Sequence, residues 1–116
     1  MWYYLTEEGY GNIMKVIDQV SNNPTIRQYD NGTSCDVKKE ATFEEAKTLR
    51  NIMEGAINSI NFGTRTCAEV SMILNTAEFI ALRFFPARED GSRINGYDTI
   101  YTPLYRAWLE NRVKED

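Results

Sequence analysis

The stretch TCAEVSMILNTAEFIALRFF, Thr66 to Phe85, decides how the rest of the chain must fold. Its first four residues form a capping-box pattern. The Thr66 hydroxyl can accept the amide three residues on, and the Glu69 carboxylate can accept the Thr66 amide, so two donors left open by a first helical turn are satisfied. Beyond the box, apolar residues fall on nearly every side of the helix, the pattern of a segment surrounded by partners. This predicts a central apolar helix over about 67–85, with Ala77 and Ile80 in its buried middle and Pro86 as its stop.

A second capping box, Thr42 to Glu45 in TFEE, opens a helix whose inward stripe is Phe43, Ala46, Leu49, Met53, Ala56, Ile57 and Ile60. Gly63 in NFG suits a left-handed cap at its end. A third helix follows Thr6, with Glu7 and Glu8 in the first turn and a stripe of Tyr10, Ile13, Met14, Ile17 and Val20; Gly9 and Gly11 weaken its start. Between these two helices, TIRQY and TSCDV flank DNG, which predicts a β-hairpin over about 25–37 because Asn and Gly tolerate positive φ.

Downstream of Pro86, the charged loop PAREDGSRINGY leads into YDTIYTPLYRAW, with rings at 97, 101, 105 and 108. Proline has no amide donor, so Pro103 fits best at a first helical position with Thr102 as N-cap. That start turns Leu104, Ala107 and Trp108 inward, sets Tyr105 on a flank, and leaves Tyr97 and Tyr101 in the approach, off the stripe. The expected fold is α+β and predominantly α-helical: three or four helices around the central apolar helix, a small hairpin, and residues 1–116 in one compact domain.

With 42% hydrophobic and 26% charged residues over 116 positions, the chain has the balance of a folded domain with its own core. Two cysteines are too few for a disulfide scaffold. The most apolar run, FIALRFF, is short and interrupted by Arg83, so no membrane partner is expected. The absence of a basic leader with an apolar core points to the cytoplasm, with thiols reduced. A formal net charge of -4, from 17 acidic and 13 basic residues dispersed along the chain, argues against nucleic acid. NGT at 31–33 reads as turn chemistry only.

No histidine occurs in the chain, which removes the usual general base and the commonest metal ligand. No glycine-rich phosphate loop or zinc-spaced cysteine set replaces it, so no cofactor, metal or catalytic residue is assigned. The pairs Glu7 with Glu8, Glu44 with Glu45, and Glu89 with Asp90 are adjacent in sequence, and their side chains diverge. Cys67, in the first turn of the central helix, could be activated by the helix dipole. It lacks a histidine partner, and a small enzyme using Cys67 or carboxylates is the third-ranked reading.

The leading reading is a non-enzymatic binding protein, an inhibitor, adaptor or immunity-type protein with another protein as partner. Its surface would be the aromatic and arginine residues of the C-terminal third: Arg88, Arg93, Tyr97, Tyr101, Tyr105 and Arg106. Packing over the central helix accounts for the same rings without a partner. The alternative is a protein that binds or sequesters a nucleotide-like anion, with Gly63, Thr64, Arg65 and Thr66 supplying free amides and a guanidinium at a helix start. An 18-residue helix, roughly 27 Å long, separates Arg65 from Arg88 and Arg93, so one ligand reaches both only between subunits. A homodimer is expected because three flanking helices and a hairpin are too few to cover a helix that is apolar all round.

Overall fold

The computed structural model describes the backbone of residues 1–30, 33–38, 41–85, 93–94 and 97–116, and the side chains of residues 1–25, 41–85 and 99–116. The fold is α+β and predominantly helical. In chain order it runs β1 (Tyr3–Leu5), α1 (Glu7–Asn22), β2 (Thr25–Asp30), β3 (Thr33–Lys38), α2 (Phe43–Asn61), α3 (Cys67–Phe84), β4 (Arg93–Ile94), a π-helical turn (Tyr97–Tyr101), α4 (Thr102–Asn111) and β5 (Arg112–Lys114).

The helix starts are local chemistry. Thr6 Oγ1 accepts the Gly9 amide at 3.1 Å. Both capping boxes close: Thr42 with Glu45, at 3.0 and 3.2 Å, and Thr66 with Glu69, at 3.0 and 3.2 Å. α1 packs between α2 and α4, α2 packs on α3, and α3 returns to the π-helical turn and α4, so the four helices close a ring. Each sends fully buried side chains into the centre: Ile13 and Ile17, Leu49, Met53 and Ile57, Val70 and Leu74, and Ile100, Leu104 and Trp108. At Gly9, α1 passes close to the end of α4, since a Cβ there would stand 3.3 Å from Asn111 Cβ.

The hairpin is β2 against β3, antiparallel from Thr25 opposite Lys38 to Asp30 opposite Thr33. β4 adds a third strand to it through Ile26 opposite Ile94 and Arg27 opposite Arg93, so the segment expected as a charged loop is partly sheet. A second small sheet joins the ends of the chain, β1 with β5, in the register Tyr3 opposite Lys114 and Leu5 opposite Arg112. β1 also exchanges both backbone hydrogen bonds with Arg65, at 2.9 and 2.8 Å.

Four expectations are corrected. Phe43, assigned to the inner stripe of α2, is 79% exposed, because it is the first residue of that helix and the buried face begins only at Leu49. Gly63 has no positive φ, and α2 ends through Phe62 in ordinary helical geometry (φ -62, ψ -29). Ile80 is 40% exposed; α3 buries Val70, Leu74, Ala77, Glu78 and Ala81 and turns Ile80 to the opposite edge. Thr102 is not an N-cap, since Tyr101 before it is already helical (φ -61, ψ -58) and carries no side-chain cap. The cap comes from α3 instead: Glu78 Oε1 accepts the Ile100 amide at 2.9 Å and the Tyr101 amide as well. Glu78 is almost fully buried, and these donors at a helical N-terminus stabilise its negative charge.

Candidate functional site

A helix that begins at 97 rather than 103 changes where the rings go. Tyr101, Tyr105 and Trp108, four and three residues apart on one continuous helical path, form a stack. Centroids are 5.4 Å apart for Tyr101 and Tyr105 and 6.1 Å for Tyr105 and Trp108, with interplanar angles of 29° and 17°. Tyr101 therefore lies on the stripe from which the Thr102 cap excluded it. Trp108 is the inner end, 1% exposed, while Tyr105 and Tyr101 are half-buried and reach the surface. Tyr3 of β1 closes the inner end edge-on against Trp108 at 5.7 Å.

Arg112, the first residue of β5, places its guanidinium over the Tyr3 ring at 4.5 Å and near the Trp108 ring at 5.8 Å, in cation–π range of both. Its Nη1 donates to Cys67 Sγ at 3.0 Å. On the α3 side, Ser71 Oγ and the Tyr101 hydroxyl are hydrogen-bonded at 2.7 Å. The outer two rings are thus held by a hydroxyl contact from α3 at one end and an arginine-backed tryptophan at the other. Burial raises the Tyr105 phenol above its ordinary pKa, and the neighbouring Cys67 thiol and Tyr101 add to the shift against the opposing pull of Arg112.

The expected site residues separate as follows. Tyr101 and Tyr105 are brought together, with exposed Arg106 on the next helical position. The backbone of Tyr97 belongs to the π-helical turn and that of Arg93 to β4, but their side chains lie outside the described residues, as does all of Arg88. At the other candidate, Gly63 to Thr66, the chain supplies its own anion. The Glu69 carboxylate accepts the Thr66 amide, and that bond holds its pKa below the ordinary value. Arg65 donates through Nη2 to the Ser59 carbonyl at 2.9 Å, and its Nη1 lies 3.7 Å from Glu69 Oε2.

The sequence reading missed Tyr3, Ser71 and Glu78, and it set Arg112 near the rim with Tyr105 and Arg106, whereas Arg112 is held against Tyr3, Trp108 and Cys67. Glu78 carried a signal, an acidic residue inside an otherwise apolar helix, which is seldom buried without partners. Tyr3 and Ser71 carried none, since Tyr3 sits on a strand of three residues with no periodicity to detect and Ser71 is a single polar residue within an apolar helix. Among the described residues, no group of three or more Cys, Asp or Glu side chains is arranged to hold a metal ion, and no helix is long and apolar enough to cross a membrane. No family model, curated protein or solved structure matches the chain in searches of all three.

Proposed function

We propose that this chain is a non-enzymatic binding protein, of the inhibitor, adaptor or immunity type, that engages another protein through the aromatic and arginine face of its C-terminal third. The observation that supports this reading is the partly buried Tyr101–Tyr105 pair stacked on a buried tryptophan. Rings already fixed by packing lose little conformational freedom on binding, and tyrosine, tryptophan and arginine are the residues most often found as interface anchors. Arg106, exposed beside the stack, adds a planar donor array at the rim. A reducing, cytoplasmic setting accords with Cys67 as a free thiol under Arg112.

The test is affinity capture from the native host with wild-type, Tyr105→Ala and Arg106→Glu chains, followed by titration of the captured partner. Each substitution is expected to weaken binding by roughly 1–3 kcal/mol. A partner held equally by all three chains would move the binding face away from α4.

A further inference from the structure

The outer face of α3 is apolar and uncovered. Glu69, Met72, Thr76, Phe79 and Arg83 follow one another at three- and four-residue intervals and form a single stripe along the helix. Met72 is 66% and Phe79 71% exposed, with Ile80, Leu82 and Phe84 exposed beside them. This face is turned away from the buried residues of α3 and does not include the Ser71 and Cys67 contacts with the ring stack, so its role is separate from the function proposed above. Next to it, α2 and α3 leave a groove of about 320 Å³ lined by Ile52, Gly55, Ser59, Ile73 and Ile80 among others. Gly55 in the groove wall is an interior helix glycine whose missing Cβ would meet nothing within 4 Å. Glycine weakens a helix relative to alanine, and among the described residues nothing requires its small size here.

We propose that this face is the interface of a homodimer in which two copies of α3 pack antiparallel across a twofold axis at Thr76. The stripe is self-complementary in that register. Glu69 stands as far before Thr76 as Arg83 stands after it, so each Glu69 comes beside Arg83 of the partner subunit, and the symmetry makes the ion pair twice. On one side of the seam Met72 falls beside the partner's Phe79, and on the other Ile73 falls beside the partner's Ile80. Ile73 and Ile80 line the groove, so the grooves of the two subunits meet along one edge of the seam, where a side chain larger than Gly55 would intrude. A parallel pairing would set Glu69 against Glu69 of the partner subunit and Arg83 against the partner's Arg83, a repulsive arrangement at both ends.

The experiment is light scattering on the full chain across micromolar concentrations, with three variants. The wild-type chain is expected at twice its 13.4 kDa mass. Phe79→Asp changes a side chain that is exposed in the subunit, and Gly55→Leu grows into open space; both are expected at the monomer mass with unchanged circular dichroism. Thr76→Cys places a thiol on the axis, and mild oxidation should give a reducible dimer that wild-type chains treated in parallel do not give. A monomeric wild-type chain would overturn the proposal. So would a dimer that survives both Phe79→Asp and Gly55→Leu, or one that Thr76→Cys does not cross-link.

Discussion

Glu78 offers the sharpest test of how the C-terminal third is assembled. Its carboxylate, 4% exposed, accepts the amides of Ile100 and Tyr101 and so caps a helical segment that begins at Tyr97, in a distant part of the chain. Replacing it with alanine strips the acceptor from two amides, the one at Ile100 buried and the one at Tyr101 partly so. An unsatisfied buried donor costs about 1–3 kcal/mol, and donors facing a charge stand at the upper end, so the loss in Glu78→Ala should be roughly 3–5 kcal/mol. Glu78→Gln keeps an acceptor oxygen but gives up the charge at the helix start, for a loss of about 1–2 kcal/mol. At roughly 4 °C per kcal/mol for a domain of this size, the glutamine variant should melt about 4–8 °C below wild type and the alanine variant more than about 12 °C below. Denaturant melts followed by tryptophan fluorescence measure the difference, and native-state hydrogen exchange locates it. Amides of Ile100 and Tyr101 should lose protection ahead of those in α1. An alanine variant within about 0.5 kcal/mol of wild type, the range of surface substitutions, would refute the capping role and with it the account of why Tyr101 joins the stack.

Trp108→Ala should cost roughly 3–5 kcal/mol by removing the buried end of the stack, whereas Arg106→Ala, at an exposed position, should leave the unfolding midpoint within experimental error. The Glu69 carboxyl is held low by the Thr66 amide, so the folded state prefers it ionised. Its stabilising effect is present above the ordinary carboxyl range and fades as pH falls through that range, and Glu69→Gln should flatten the pH dependence of the urea midpoint on the acid side. Tyr105 shifts the other way: its raised phenol keeps its proton in the folded state after an unfolded chain would release it. Stability is therefore full below the ordinary tyrosine pKa, near 10, and declines above it, a decline that Tyr105→Phe should reduce. In a Cys35→Ser background, Cys67 should react with thiol reagents slowly until denaturant is added, because Arg112 lies against its sulfur; fast native labelling would show that this cover opens.

The sequence by itself determined what short-range chemistry controls. Thr6, Thr42 and Thr66 start their helices through bonds that span three residues, and the two capping boxes close as their spacing requires. The hairpin between Thr25 and Lys38 needs only DNG and its flanks. Periodicity also placed Leu49, Met53 and Ile57 of α2, and Leu104 and Trp108 of α4, on inner faces. The two tyrosines of the candidate site that are described, Tyr101 and Tyr105, were legible as residue types, but the stacked geometry that makes them a surface was not. That geometry depends on Glu78 replacing the expected Thr102 cap, a contact between residues 22 and 23 positions apart. Likewise only the tertiary structure put Arg112 between Tyr3, Trp108 and Cys67, since β1 and β5 are three-residue strands that pair the two ends of the chain. The same limit governs Ile80 and Phe43. An apolar residue on a helix has a fixed direction about that helix's axis, but whether a neighbour stands in that direction is set by how the helices dock, and α3, apolar all round, could have presented any of its faces to the core.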